Sequence, residues 1–232
     1  MSKPYVSAVV VAAGNSTRMG SVISKQFIPL LGKPIIAYTL SAFENSESVD
    51  EVVVVCRESD MQQIKEIAIN ENCTKVKAFV VGGATRSESV FSGISATSEN
   101  TTHFAIHDGA RPLVKPSDID NVVNAAVECD AAALAVPVTD TIKIVDSDGF
   151  IKHTPLRASL RAAQTPQVFK KSLYLQALDF TNGADFTDDC ALVECIGAKV
   201  KIVVGDYTNI KVTTPQDIPL AEGILMDRTR RE

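Results

Sequence analysis

The sequence contains no tryptophan and only three histidines, and aromatic residues make up 6% of it. It has no run of about 18 consecutive apolar residues, so no membrane-spanning helix is expected. Met-Ser-Lys-Pro leads straight into a strand-like segment, without the charged-then-apolar order of a secretory leader. Positive charge is not in excess: 23 Lys and Arg stand against 28 Asp and Glu, for a net charge of −5. That balance excludes a global basic field of the kind that draws a protein to nucleic acid or to anionic lipid. The five cysteines (Cys56, Cys73, Cys129, Cys190, Cys195) are odd in number and form no C-x-x-C pair. Reduced thiols of a cytoplasmic protein are therefore expected rather than a disulfide framework. His103, His107 and His153 lack the spacing of a zinc site. Two familiar phosphate loops are also missing: G-x-x-x-x-G-K-[ST] does not occur, and the 12 glycines contain no G-x-G-x-x-G.

What is present is ordinary globular material, 45% hydrophobic and 22% charged over 232 residues. Short β-branched runs at Val6–Ala12, Glu51–Cys56, Val76–Val81, Phe104–His107 and Ala132–Val136 predict strands. Between them, apolar residues at helical spacing predict helices over Pro34–Phe43, Asp60–Asn70, Ser87–Ala96 and Ser117–Cys129. Continuous runs such as AVVVAA and EVVVVC suit strands covered on both faces. The alternation predicts an α/β fold, with a mostly parallel twisted sheet and helices on both faces, Rossmann-like in its crossovers. Ligands of such sheets bind beyond the carboxyl ends of the strands. Functional residues are thus expected just after Ala12, Val81, His107 and Val136.

Three segments depart from the alternation. Ala13 to Lys33 reads as one long loop, too long for a purely structural connection. Thr139–Val145 and Phe150–Thr154 flank the turn Asp146-Ser147-Asp148-Gly149 and predict a hairpin arm at about 139–160. Such an arm is marginal alone, so docking on a second subunit is expected. The C-terminal part predicts a helix around Asp188–Cys195, a strand at Lys201–Val204 and a last helix from Pro215. No repeat or linker interrupts the chain, and one domain over 1–232 is expected.

The strongest motif is AAGNSTRMGSVISKQF, residues 12–27, directly after the first strand. Gly14 and Gly20 allow backbone N–H groups to approach phosphates as an anion nest. Arg18 and Lys25 add the positive charge that a triphosphate requires. This motif resembles the signature of nucleotidyltransferases with a glycosyltransferase-A-like fold. With GGATRSESV (82–90), HDGARP (107–112), PVTDTIK (137–143), AQTPQVF (163–169), TDDCALVE (187–194) and NIKVTTPQD (209–217), the chain resembles the 2-C-methyl-D-erythritol 4-phosphate cytidylyltransferase family over nearly its whole length. That resemblance implies transfer of CMP from CTP to a small polyol phosphate with release of pyrophosphate. Sister ribitol-5-phosphate cytidylyltransferases, and a nucleotide-binding regulator without turnover, are the alternatives.

The resemblance also assigns roles. Arg18, Lys25 and Lys211 become catalytic cations. Ala12, Ala13, Gly14, Gly83, Ala84, Ser89 and Asp108 become nucleotide-binding, with Ala84 standing where many relatives carry an acid. Thr141, Arg157 and Lys211 bind the polyol phosphate, the first two from an arm that reaches a neighbouring subunit in a homodimer. Asp108 is the expected ligand of Mg²⁺, which takes one or two protein carboxylates beside phosphate oxygens and water. Each residue also has a plainer reading. Ser87 or Ser89 suits a helix N-cap, Arg157 a solvated arm residue, and Lys211 an edge-strand charge. Arg111 reads as a brace for its loop or a partner of Asp108, and His107 as a hydrogen-bonded structural residue. Asp188 and Asp189 suit either a second metal or the first turn of a helix capped by Thr187. No catalytic base is evident, and none is needed, because a phosphate monoester is largely dianionic near neutrality.

Overall fold

The computed structural model describes residues 3–14, 24–181 and 186–231. In chain order the elements are β1 (Val6–Val11), β2 (Pro29–Leu30), β3 (Lys33–Pro34), α1 (Ile35–Glu44), β4 (Glu51–Cys56), α2 (Met61–Asn70) and β5 (Val76–Val81). There follow α3 (Arg86–Ser95), β6 (His103–Asp108), α4 (Pro116–Cys129), β7 (Ala131–Pro137), β8 (Ile144–Val145), β9 (Ile151–His153) and β10 (Arg161–Lys170). The chain ends with α5 (Lys171–Thr181), α6 (Asp189–Glu194), β11 (Lys201–Val204) and α7 (Asp217–Arg231).

Seven strands form one sheet in the order β11-β7-β10-β6-β1-β4-β5. All run the same way except β10, which is antiparallel to both β6 and β7. Strand side chains alternate between faces, and the core divides accordingly. On one face Val10, Val54 and Ala105 pack with Leu40, Ile64 and Val122 from α1, α2 and α4. On the other, Val9, Val55 and Ile106 pack with Val90, Tyr174 and Val193 from α3, α5 and α6. A smaller cluster of Leu30, Ile35, Leu113, Val212 and Ala221 seats α7.

The predicted strands and helices are all found, shifted by a residue or two at their ends. Three features differ from expectation. The segment read as a loop from Ala13 to Lys33 contains, in its described part, a 3-10 turn at Lys25–Phe27 and the small hairpin of β2 and β3. The arm is shorter in strand than predicted, with only β8 and β9 paired. The long strand β10 and helix α5 went unforeseen. β10 contains Pro166, which has no N–H for the ladder, and its register breaks between Ala163 and Gln167. Of its buried residues 164–169, Gln164, Thr165 and Gln167 are polar, which leaves only Val168 and Phe169 as adjacent apolar side chains. No apolar run therefore marks it as a central strand.

Strand direction gathers the loops at one rim. Val11 lies opposite Asp108 across β1 and β6. The N–H of Ala12 donates to Val55 O at 2.7 Å, and that of Gly82 to Cys56 O at 3.0 Å. These bonds set the starts of the loops after β1 and β5 side by side. Because β10 runs the opposite way, its amino end reaches the same rim.

Candidate active site

A cleft of about 370 Å³ opens at that rim, lined among others by Gly14, Lys25, Gly83, Ser89, Asp108 and Lys211. Ala13 and Ala84 line it as well. Ala12 lies just beneath, 1% exposed. A second pocket of about 280 Å³ is walled by Gln164, Thr165, Gln167, Thr187 and Asp188. Arg86, Asp108 and Lys211 line both. Of the residues expected to handle the nucleotide, Arg18 and Gly20 lie outside the described residues. Thr141 and Arg157 line neither pocket. They are exposed on the arm, where the Arg157 guanidinium donates to Thr139 O at 2.9 Å.

Asp108 is the electrostatic centre. Lys211 Nζ stands 2.9 Å from its Oδ2, Arg111 Nε 3.3 Å from the same oxygen, and Arg86 Nε 3.8 Å from Oδ1. Burial pushes the Asp108 carboxyl up, but the Lys211 ammonium, with Arg86 and Arg111, holds it far below the usual carboxylate range. Arg111 both pairs with Asp108 and braces the loop, donating to Asn209 O at 2.9 Å. This matches the expected brace. Arg86 went unnoticed in the sequence, although it sits within GGATRSESV. Its only local signal was a cation in the first turn of a helix that follows a strand's carboxyl end.

His107 is fully buried and edge-on to Phe43 at 5.0 Å. Burial holds its pKa down to about 3, so the ring is neutral. Its Nε2 faces Arg111 O at 3.3 Å and must carry the proton, since a carbonyl only accepts. Its Nδ1 therefore accepts from the Thr165 hydroxyl at 3.0 Å, while that hydroxyl oxygen accepts the Asp108 N–H at 3.1 Å. The structural reading of His107 holds.

The serine caps do not. Thr85 caps α3, its hydroxyl accepting from Glu88 N at 3.1 Å, and Glu88 Oε2 accepts from Ala84 N and Thr85 N at 2.6 and 3.1 Å. Ser89 lies inside the helix, accepting from Gly83 N at 3.1 Å and donating to Thr85 O at 2.9 Å. A Cβ on Gly83 would come within 2.3 Å of Glu88 Cβ, so this turn requires glycine. Thr187 is likewise not the cap of α6. Asp188 is, with Oδ1 accepting from Ala191 N at 3.0 Å. Gln167 assists from β10, its Oε1 accepting from Asp189 N and Cys190 N, each at 3.1 Å.

The segment carrying Lys211 is tied down at Asp206. That carboxylate accepts from Lys115 Nζ and from Thr208 N, the latter at 2.8 Å. Burial raises the Asp206 pKa, but the Lys115 and Thr208 bonds outweigh it and hold the group at about 2. A depressed carboxylate stabilises the fold above its unfolded pKa of about 4, and that contribution fades as pH falls through the folded value. With 28% of the side chain exposed, solvent screening limits the effect to about 1 kcal/mol. Asp206→Asn is thus expected to lower urea stability by about 1 kcal/mol at about pH 7, with the gap closing as pH falls to about 2. A gap independent of pH would show that the charge is not responsible.

No group of three or more His, Cys, Asp or Glu side chains suited to a metal occurs among the described residues. All five cysteines are free thiols. Among the described residues, no helix is long and apolar enough to cross a membrane.

Known proteins resemble the chain over nearly its whole length. The family model of 2-C-methyl-D-erythritol 4-phosphate cytidylyltransferase matches residues 6–227. The enzyme of that name from Caldanaerobacter subterraneus is 45% identical over 220 residues, covering 94% of this chain and 97% of the relative. Its counterpart from Halalkalibacterium halodurans is 43% identical, covering 97% and 99%. Among solved structures, 4-diphosphocytidyl-2C-methyl-D-erythritol synthase from Anaerococcus prevotii superposes with a TM-score of 0.86 at 31% identity, over 97% of each chain. A match of this extent, on a rim where the cations of the motifs meet one carboxylate, makes the chain a member of the 2-C-methyl-D-erythritol 4-phosphate cytidylyltransferase family.

Proposed function

We propose that the chain transfers CMP from CTP to 2-C-methyl-D-erythritol 4-phosphate, acting in the cytoplasm as one nucleotidyltransferase domain with a projecting arm. The observation that carries this reading is the sharing of Arg86, Asp108 and Lys211 by two adjoining pockets. The reaction must bring a phosphate monoester dianion against the α-phosphate of a triphosphate. A bond forms between the monoester oxygen and the α-phosphorus, the bond to the bridging oxygen breaks, and pyrophosphate leaves with its electron pair. No proton needs removal, so the protein's task is to hold two anions together and stabilise the crowded phosphorus. Lys25 and Lys211, with Arg18 from the first loop, are the cations assigned to that task. The larger cleft receives CTP and the smaller one the polyol phosphate.

The loop after β5 favours cytosine. The N–H groups of Gly83 and Ala84 already donate to Ser89 Oγ and Glu88 Oε2. Their carbonyl oxygens are assigned to the base edge, where an acceptor suits the exocyclic amine of cytosine rather than the carbonyl of uracil. Ala12, Ala13 and Gly14 face the nucleotide from the other side.

One carboxylate in the cleft fits Mg²⁺ arriving with the triphosphate. The Arg86 contact at Asp108 Oδ1 is long, 3.8 Å, whereas Oδ2 is taken by Lys211 and Arg111. When bound, the ion neutralises charge on the departing pyrophosphate.

Thr141 and Arg157 are assigned to the polyol phosphate of a second copy of the chain. Phe150, Ile151 and Leu156 on the arm are 72, 61 and 74% exposed, an apolar surface that a homodimer covers. The deciding experiment supplies CTP or UTP, Mg²⁺ and either methylerythritol phosphate or ribitol 5-phosphate, and follows pyrophosphate. Release with CTP and methylerythritol phosphate is expected. Release with ribitol 5-phosphate alone would reassign the substrate, and no release would leave a nucleotide-binding regulator. A monomer by light scattering at micromolar concentration would remove the arm's role.

A further inference from the structure

A line of buried polar groups runs from the core beneath α5 to the cleft. Tyr174 is 2% exposed and packs against Phe104 and Phe169 with ring centroids at 5.9 and 5.4 Å. Phenylalanine would fill that space without a hydroxyl to satisfy. The hydroxyl instead donates to Asp189 Oδ1 at 2.7 Å. Burial raises the pKa of the phenol well above its ordinary value, so Tyr174 keeps its proton and remains a donor. The other oxygen of Asp189, itself 3% exposed, accepts from Arg86 Nη2 at 2.7 Å.

Arg86 thus stands between two carboxylates. Its contact with Asp189 is a short charged hydrogen bond, while Asp108 is 3.8 Å away. Without Asp189 the nearest anion would be Asp108, and a close pair there would withdraw the guanidinium from the space shared by the two pockets. Asp189 holds Arg86 back, and Tyr174 fixes Asp189.

We propose that Arg86 contacts the attacking sugar phosphate at the junction of the two pockets, and that Asp189 and Tyr174 are positioning residues acting through it. This rests on the cytidylyltransferase reading above. Arg86→Ala is expected to raise KM for 2-C-methyl-D-erythritol 4-phosphate by about 10-fold or more, with KM for CTP within about 2-fold. Tyr174→Phe keeps the ring packing and is expected to raise the same KM by about 3- to 10-fold, with a melting temperature within a few degrees of wild type. In an Arg86→Ala background, Tyr174→Phe should have no further effect. An equal effect of Tyr174→Phe with and without Arg86 would overturn the coupling, as would a lowered melting temperature with no selective change in KM. Turnover by the wild type, with an unchanged sugar-phosphate KM in Arg86→Ala, would remove this inference alone. An inert wild type would remove the cytidylyltransferase reading and this inference with it.

Discussion

Lys211→Ala is expected to lower kcat/KM by about 10³-fold while leaving the protein folded. The Lys211 side chain is 36% exposed and lines both pockets, so its charge faces the space proposed above for the substrate phosphates. Removing it leaves Asp108 still paired with Arg111 and near Arg86. The fold therefore keeps its carboxylate neutralised, and a partly exposed ion pair contributes little stability of its own. Lys211→Arg retains the charge on a bulkier, planar head and should recover only part of the loss. Steady-state kinetics beside a thermal melt separates the two effects. A rate within about threefold of wild type would take Lys211 out of the mechanism, whatever the melt shows.

Asp108→Ala carries the largest expected cost in stability. The side chain is 12% exposed, and the substitution leaves Lys211, Arg86 and Arg111 crowded together without their common anion. Arg86 retains Asp189, and Arg111 retains the carbonyl of Asn209. Lys211 and the mutual repulsion of the three have no such relief. Breaking a buried pair by deleting one partner costs about 3–5 kcal/mol, and about 3 kcal/mol is expected given those remaining contacts. Turnover should be lost as well, since the cations lose the group that fixes their positions. Urea unfolding at about pH 7 tests the first part. A midpoint equal to wild type would mean that the three cations are not held by Asp108 in solution.

Both substitutions cost turnover but only one costs much stability, because the sign of the cluster is lopsided. One carboxylate organises three cations, leaving net positive charge in a cleft built for anions. In a protein of net charge −5, that local excess supports the proposal that a triphosphate binds at this rim.

The fold was largely legible because its strands and helices advertise themselves. VSAVVV and EVVVVC are buried along their length, and only a sheet covered on both faces tolerates such runs. The helices followed from apolar residues at a spacing that one buried face imposes. β10 was illegible for the converse reason. Half of its buried stretch is polar, and Gln164 and Gln167 are satisfied by distant partners, Gln164 by Asp206 O at 2.9 Å and Gln167 by Asp188 and the start of α6, so only Val168 and Phe169 are left as a short apolar pair. A strand whose polar side chains are satisfied by tertiary hydrogen bonds has no hydrophobic period to read.

Residue types at fixed spacing after strand ends determined that Lys25, Asp108 and their neighbours belong to one rim, since chain direction alone carries those loops to the same side. Which groups touch was decided only in three dimensions. Arg86 and Asp189 are 103 residues apart and Asp108 and Lys211 equally far, and no local rule orders such pairs. Their meeting depends on the reversed strand β10 bringing Gln167 under α6, and on Asp206 and Asn209 pinning the chain before Lys211. Charge pairs over such separations form because burial makes an unpaired charge too costly, and that cost exists only once the sheet and its helices have closed around them.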